Sequence, residues 1–203
     1  NYNYTVIDRE LDNNYPHWSN PHQTTPDIFH DSAYSGQEGT YGIVGGGRTS
    51  YDSPRTGPGM LGLIYFSQSP PRPNPPIDYG NRECAQTRLL EPLDSGATYS
   101  FGMYVKIAST SLYTIAPLGV TFTMDSIVGY DVPFDGKDYT IQFEVDRYPT
   151  DSTNWEYFYH CFKPDSAYNF ITLGNRRTRL VFNTRYYDST NENQFLKEWG
   201  FMY

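Results

Sequence analysis

The chain has 203 residues, 17% of them aromatic and 19% charged, and a formal net charge of −8 at pH 7. An acidic chain repels phosphate backbones, so we expect no nucleic-acid partner. No apolar run approaches the ~18 residues that a membrane-spanning helix needs, so we expect a protein that does not span a membrane. The high aromatic content, combined with 17 Gly and 15 Pro, is typical of short strands separated by turns.

The N-terminal part of the chain begins with a strand and continues as a long irregular segment. Residues 4–7 form the first predicted strand, and residues 15–59 hold many Gly and Pro residues without a regular pattern. A stretch of this kind inside a compact domain commonly wraps the surface or carries function. We interpret the chain as one domain, residues 1–203. Residues 1–59 form its N-terminal strand and loop segment, and residues 60–203 form the main sandwich strands.

The clearest strand pattern lies between residues 82 and 108, which are predicted to form a strand, a tight turn and a long strand. After the turn at Asp94, Ser95 and Gly96, the odd positions are apolar and most even positions are polar or small. A period of two places one set against a core and the other away from it. Residues 118–124 and 139–145 alternate in the same way, so we expect strands there as well.

The rest of the chain continues this series of short strands. The other predicted strands are residues 60–66, 155–162, 168–175, 179–182 and 195–203. The tetrapeptide Asp-Ser-Thr-Asn occurs at 151–154 and at 188–191, where we expect turns. About nine strands without a helical pattern predict an all-β fold, an antiparallel β-sandwich of the jelly-roll type.

The two cysteines, Cys84 and Cys161, both fall in predicted strands. In an oxidising compartment they could form a disulfide. The alternative is that each is a small residue in the core. The sequence leaves both readings open, and no Cys-x-x-Cys or close Cys/His spacing indicates a zinc site.

Four motifs of the chain share their spacing with a known domain. They are Thr25-Pro26-Asp27-x-Phe29, Arg82-Glu83-Cys84-x-Gln86-x-x-Leu89, Glu91-Pro92-Leu93-x-x-Gly96-x-x-Tyr99, and Trp155 to Phe162 followed by Tyr168-x-x-Ile171-Thr172-x-Gly174-Asn175. Over residues 18–175 the chain resembles the galactose-binding-like jelly-roll domain of secreted and outer-membrane surface proteins of gliding bacteria. It departs from that family at Cys84, where the family has Tyr, and at Lys197-Glu198, where the family has paired aspartates.

The resemblance implies a jelly roll, an extracellular or cell-surface location and a role as a module of adhesins. It also implies a structural calcium ion where the first strand meets the last, held by oxygen ligands. The candidate ligands are Asp8, Glu10, Asp27 and Glu198, and a second oxygen-rich loop holds Asp188 and Glu192. The lack of an EF-hand loop pattern favours the alternative that these are solvated surface carboxylates, and we expect no required cofactor.

Aromatic side chains in predicted loops and at strand ends are the candidates for contacting a ligand or a partner. Sugar rings stack on exposed Trp and Tyr, and protein interfaces are also enriched in these residues. The candidates are Trp18, Tyr34, Tyr41, Tyr51, Tyr130, Tyr186 and Tyr187. Trp155 and Trp199 are expected in the core, and Tyr within strands is expected to pack across strands rather than to bind a ligand.

Motifs of known enzyme classes are absent: there is no Gly-x-Ser-x-Gly, no His-Glu-x-x-His and no phosphate-binding loop. We therefore expect a non-catalytic, extracellular structural or adhesive protein that associates with copies of itself or with other surface proteins. Its N-terminal strand, with Tyr2, Tyr4 and Val6 as assembly residues, would add to the sheet edge of a neighbouring chain and build a filament. The alternative is a carbohydrate-binding module that recognises glycans.

Overall fold

The computed structural model describes residues 5–6, 17–21, 26–30, 41–43, 48–50, 53–67, 83–108, 111, 113–116, 118–127, 139–142, 147–174, 183–186 and 199–202. Its strands are β1 (Thr5–Val6), β2 (Trp18–Ser19), β3 (Asp27–His30), β4 (Tyr41–Ile43), β5 (Arg48–Ser50), β6 (Gly59–Ser67), β7 (Cys84–Arg88), β8 (Tyr99–Val105), β9 (Tyr113–Ala116), β10 (Gly119–Thr123), β11 (Tyr139–Gln142), β12 (Glu156–Phe162), β13 (Phe170–Gly174), β14 (Asn183–Tyr186) and β15 (Trp199–Met202). These residues contain no helix, so none among them could cross a bilayer as one. The predicted all-β class is confirmed for this part of the chain.

The strands form two larger sheets and three separate pairs. The five-stranded sheet has the order β11-β10-β13-β7-β2, and the four-stranded sheet has the order β1-β3-β6-β15. The pairs are β8 with β12, β9 with β14, and β4 with β5. Every one of these pairings is antiparallel. Antiparallel sheets whose neighbours are distant in sequence are consistent with a β-sandwich.

The core lies between the five-stranded sheet, the β8–β12 pair and β6. One buried cluster contains Leu63, Tyr65, Ala85, Val105, Leu118 and Phe158, and a second contains Val120, Phe122, Ile141, Phe162, Tyr168 and Ile171. Phe101 of β8 and Leu173 of β13 pack against both clusters and so join them. Burial of this apolar surface is the main favourable term in folding, and it fixes the inner face of β8 and β12.

Strand β8 shows the predicted alternation. Val105 is 4% exposed and Tyr104 is 40% exposed. Phe101 and Met103 pack against the core, whereas Gly102 between them is exposed. One face of the strand is therefore part of the core, and the other is open to solvent.

The motif around Gln86 forms a buried hydrogen-bond network. Gln86 on β7 is fully buried, and its Nε2 donates to Oγ1 of Thr172 on the neighbouring β13 at 2.9 Å. Its Oε1 accepts from the Ile127 N–H at 3.1 Å and from the Ser126 hydroxyl at 3.0 Å. Because both polar atoms of the amide have partners, burial of this side chain leaves neither of them unsatisfied. The network ties the segment after β10 to the middle of the sheet.

Glu83 and Gly174 explain two further motif positions. The Glu83 carboxylate accepts from the Ile64 N–H at 2.9 Å, and the Glu83 N–H donates to the Ile64 carbonyl oxygen at 2.8 Å. Gly174 has a φ of +105°, and a Cβ there would overlap the Glu83 carbonyl oxygen and lie 3.0 Å from Cα of Cys84. Only Gly fits where β13 passes this close to the start of β7.

The turn between β7 and β8 explains the Gly and Tyr positions of the motif that runs from Glu91 to Tyr99. Gly96 has a φ of +79° and donates its N–H to the Pro164 carbonyl oxygen at 2.7 Å. The Tyr99 hydroxyl accepts from the Asp94 N–H at 2.8 Å. The Gly and Tyr of this motif therefore stabilise a turn.

The N-terminal segment differs from the sequence prediction. Residues 15–59, predicted to be irregular, contain the short strands β2, β3, β4 and β5. Strands of two to four residues are too short to show an alternation pattern. Strand β1 pairs with β3 of the same chain, with Val6 opposite Asp27. The described part of the N-terminal strand is therefore an edge strand of the chain's own four-stranded sheet.

Neither of the two cysteines forms a disulfide in the structure. Cys84 lies buried on β7, whereas Cys161 is exposed on β12. No disulfide joins them, and Cys84 fits the alternative of a small buried residue. Cys161 does not fit it, because its side of β12 faces solvent.

Candidate functional site

The outer face of the β8–β12 pair carries three exposed tyrosines. In the antiparallel register Tyr157 lies opposite Tyr104, and Tyr159 lies opposite Gly102. Tyr104, Tyr157 and Tyr159 are 40%, 47% and 59% exposed. Since positions two apart in a strand face the same side, Tyr157 and Tyr159 follow one another along the solvent face. We call these three side chains the tyrosine row.

The rings of the tyrosine row contact one another. The ring centres of Tyr104 and Tyr157 are 4.8 Å apart with planes at 40°, and those of Tyr157 and Tyr159 are 6.0 Å apart with planes at 14°. Beside Tyr104, the guanidinium carbon of Arg55 lies 3.5 Å from the ring centre. These distances suit aromatic and cation–π attraction. The row is therefore one ordered surface instead of three independent side chains.

Gly102 makes room for the ring of Tyr157. A Cβ at position 102 would lie 2.7 Å from Cζ and 2.9 Å from Cε2 of Tyr157. A side chain at position 102 would therefore displace the ring, which lies over the backbone of β8 because this position is Gly. The need to accommodate the Tyr157 ring on the exposed face thus explains why a glycine lies inside this long strand.

The inner face of β12 holds the row in its orientation. Phe158, between Tyr157 and Tyr159, is 0% exposed, and the guanidinium of Arg147 lies 4.2 Å from the centre of its ring. Arg147 also donates from Nη2 to the Tyr157 carbonyl oxygen at 2.6 Å. A buried Phe between two exposed Tyr residues fixes which side of the strand faces solvent.

An apolar pocket of about 270 Å³ opens beside the Arg55 end of the row. We call it the side pocket. Its apolar walls include Met60, Leu61, Leu63, Met103, Trp155 and Leu173. Arg55 and Tyr104 also line it, and because both are exposed they form its rim. A mostly apolar concavity with few polar groups is the usual form of a small-molecule site.

The segment that carries Arg55 is held by turn residues and by Trp155. Pro54 and Pro58 restrict the backbone on either side of Gly57, which has a φ of +68°. Nε1 of Trp155 donates to the Ser53 carbonyl oxygen at 3.3 Å. These constraints place Arg55 at the pocket rim.

The turn before β12 positions Trp155 in the pocket wall. Oδ1 of Asp151 accepts from the Thr153 N–H at 2.6 Å and from the Asn154 N–H at 2.8 Å. The hydrogen bonds from Asn154, followed by the one from Thr153, lower the pKa of Asp151 because they stabilise its carboxylate. Glu156 adds a second brace, since its Oε1 accepts from the Asp151 N–H at 2.9 Å. Asp-Ser-Thr-Asn at 151–154 thus forms the predicted turn.

This region presents groups suited to non-covalent contacts. No group of three His, Cys, Asp or Glu residues able to hold a metal ion occurs within the part of the chain that the structure describes. Burial raises the pKa of Tyr65 in the pocket wall, so this hydroxyl stays protonated at neutral pH. What the site offers is aromatic rings, hydroxyl groups, one guanidinium and an apolar cavity.

The tyrosine row contains none of the residues that the sequence singled out. Trp18 on β2 is half-buried and packs against the first core cluster. The predicted sites also include residues in short strands: Tyr41 in β4, Tyr186 in β14, Asp27 in β3 and Val6 in β1. Predicted residues that lie outside the described ranges are Tyr2, Tyr4, Asp8, Glu10, Tyr34, Tyr51, Tyr130, Tyr187, Asp188, Glu192 and Glu198. Trp155, expected in the core, is half-buried and lines the side pocket.

The tyrosine row was not predicted from the sequence, because tyrosines within strands were expected to pack across strands. Two signals could have found it. Tyr104 occupies an even position of β8, the side opposite the apolar set, and Gly102 on that side leaves space for a neighbour. The order Tyr157, Phe158, Tyr159 then places two tyrosines on one side of β12. What the sequence could not supply is the pairing of β8 with β12.

Comparison with models of known protein families gives no match for this chain, and comparison with curated proteins gives none either. Its function is therefore inferred from its own residues.

Proposed function

We propose that the protein is a non-catalytic adhesive module, located at the cell surface or outside the cell, that binds glycans through its tyrosine row. The observation that carries this proposal is the continuous exposed surface of Tyr104, Tyr157 and Tyr159. Tyr combines an apolar ring with a polar hydroxyl. Sugars likewise combine faces of C–H groups with hydroxyl groups. The jelly-roll arrangement implied by the resemblance is part of the same proposal, since lectin domains include jelly rolls.

The composition of the row favours reversible binding over permanent assembly. Obligate interfaces resemble a hydrophobic core cut in half, whereas this face presents hydroxyl-bearing rings beside a guanidinium. Tyr also gives a large, rigid contact area at a low cost in conformational entropy. Because three rings lie side by side, we expect an oligosaccharide to bind more tightly than a single sugar.

The direct test is affinity gel electrophoresis of the purified chain in a panel of soluble neutral and acidic polysaccharides. We expect at least one polysaccharide to retard the wild-type chain, and the double variant Tyr157→Ala/Tyr159→Ala to lose the retardation. Leu90→Ala is the matched control, because Leu90 is a fully exposed large side chain on the turn after β7. Absence of retardation by every polysaccharide, or equal retardation of both variants, would contradict glycan binding by the row.

Self-association is the second candidate, and the position of β1 favours it. This two-residue strand lies at the edge of the four-stranded sheet. An edge strand presents backbone N–H and C=O groups that another chain can pair with. Light scattering and negative-stain microscopy, with and without calcium chelation, test this candidate together with the proposed structural calcium. Filaments that dissolve on chelation would support both, and a monomer under both conditions would contradict self-association.

A further inference from the structure

We infer that the side pocket binds a small carboxylate bearing an apolar group, with Arg55 as the partner of the carboxylate. The site is separate from the surface of Tyr157 and Tyr159. The inference goes beyond the proposed function and holds whether or not the row binds glycans.

The walls of the pocket select the apolar part of the ligand. Met60, Leu61 and Leu63 of β6, together with Met103, Trp155 and Leu173, give it an apolar lining within a volume of about 270 Å³. An apolar cavity of about 150 Å³ is enough to hold one benzene ring. The side pocket therefore has room for a substituted ring or a medium-length alkyl chain. The two Met side chains can adjust to the shape of such a group.

Arg55 selects the charged part of the ligand. Its guanidinium packs on the ring of Tyr104 at 3.5 Å from the ring centre. Stacking uses the flat face of the guanidinium and leaves the N–H groups in its plane able to donate to a carboxylate in a bidentate manner. Among the described residues, no carboxylate forms an ion pair with Arg55. A positive group at the rim of an apolar cavity complements a ligand with an apolar body and an anionic end.

The site is built before the ligand arrives. The segment of Arg55 is restrained by Pro54 and Pro58, and the Trp155 indole is tied to Ser53 at 3.3 Å. The turn at Asp151, braced by Glu156, fixes the start of β12. A preformed site loses less conformational entropy on binding than a site that must be ordered by its ligand.

The first measurement is isothermal titration calorimetry of the wild-type chain with acetate, butyrate, hexanoate, octanoate and decanoate. We expect affinity to rise about fourfold for each added methylene group until the pocket is full, and then to level off. Octanoate binding no tighter than acetate binding would overturn the inference. This series needs no variant, so a failure of any variant to fold does not affect it.

The second measurement separates the role of Arg55 from the role of the walls. Arg55→Gln should weaken octanoate binding roughly tenfold to a hundredfold, because a charge-assisted hydrogen bond is lost, and should leave binding of neutral octanol unchanged. Arg88→Gln is the matched control, since Arg88 is an exposed arginine at the end of β7 outside the pocket lining. Equal effects of the two variants on octanoate, or an equal loss of octanol and octanoate in Arg55→Gln, would overturn the assignment of Arg55.

The third measurement locates the ligand. In NMR spectra of the chain labelled with ¹³C at the Met methyl groups, octanoate should shift the signals of Met60 and Met103, which line the pocket, and leave that of Met124 unchanged. Met124 is 44% exposed and lies outside the lining, so it reports unspecific contact. A shift of Met124 alone, or equal shifts of all three, would overturn the inference. Failure of the carboxylate site can be told apart from failure of glycan binding. The glycan test depends on Tyr157 and Tyr159, whereas this test depends on Arg55 and the methionines.

Discussion

The paired strands β7 and β13 differ from the paired strands β8 and β12 in what their side chains do. On β7 and β13 the motif residues face inward, where Gln86 bonds Thr172 at 2.9 Å and Gly174 passes close to Glu83. On β8 and β12 one face is core and the other presents the tyrosine row. Residues of the motifs that carry the resemblance therefore contribute mainly to packing and to turns.

This difference separates evidence for fold from evidence for function. A buried Gln with all its partners constrains the sheet and says nothing about a ligand. An exposed row of rings leaves apolar surface in contact with water, which is unfavourable, so the row calls for a functional explanation. If the difference holds, substitutions at the buried positions of β7 and β13 should change stability, and substitutions on the outer face of β8 and β12 should change binding.

The largest effect is expected at Gly174. Gly174→Ala should lower the free energy of unfolding by about 3 kcal/mol or prevent folding, because it combines a positive φ with a backbone overlap at Glu83. Gly96→Ala, at a positive φ with no atom within 4 Å of the added Cβ, should cost only about 1 kcal/mol. Urea denaturation of the two variants checks this, and equal costs would refute the close packing of β13 on β7.

A smaller loss is expected at Gln86. Gln86→Ala leaves the Ile127 N–H without its 3.1 Å partner and the Thr172 hydroxyl without its 2.9 Å partner in the interior. Unsatisfied buried groups and the cavity together should cost about 2 kcal/mol. The same denaturation experiment measures the cost, with the exposed Leu90→Ala expected to change stability by less than about 0.5 kcal/mol. A cost at Gln86 as small as at Leu90 would mean that the network is dispensable.

At Gly102 we expect function and stability to separate. Gly102→Ala places a Cβ against the Tyr157 ring, which is a flexible, exposed side chain and can move aside. We expect unfolding free energy to change by less than about 1 kcal/mol, while retardation by a polysaccharide that binds the wild type decreases. A loss of stability as large as at Gln86 would show instead that this face is structural.

The smallest effect is expected from pH, at Asp151. Hydrogen bonds from Asn154 and Thr153 lower the pKa of Asp151. Its carboxylate therefore stabilises the folded state fully at pH values above the ordinary Asp pKa of 3.8, and this stabilisation is lost as the pH falls through the lowered pKa. The carboxyl ¹³C signal of Asp151 should therefore titrate below 3.8. The Asp151→Asn variant should lose less stability between neutral and acidic pH than the wild type does. Titration at or above the ordinary value would contradict the turn geometry.

The sequence predicts the strands of the second half of the chain better than their arrangement. The alternation from Ala97 to Ile107 gives β8 and its inner face correctly, because a half-buried strand has a period of two. It does not give the partner of β8, since pairing depends on which strands meet in space. The short strands of residues 15–59 carry too few residues for any periodic signal.

The candidate site was less predictable than the fold, because it depends on which strands pair in space. Whether Tyr104 is a packing residue or an exposed one depends on what lies on its side of the sheet, and that is set by its contact with Tyr157. Sequence favoured loop aromatics, whereas the structure shows Trp18 packed against the core and the exposed rings on strands. Arg55 had no sequence signal, because its stacking on Tyr104 joins residues far apart in the chain.

The register that brings Tyr104 opposite Tyr157 also has a consequence for the order of folding. Closing a long loop costs entropy before the contact stabilises anything, so pairings between distant segments form slowly. During synthesis, the ribosome must release the segment that contains β12 before β8 can find its partner. The face that presents Tyr104 beside Tyr157 therefore forms only after synthesis has passed β12, and contact between these two rings reports that segments far apart in the chain have met.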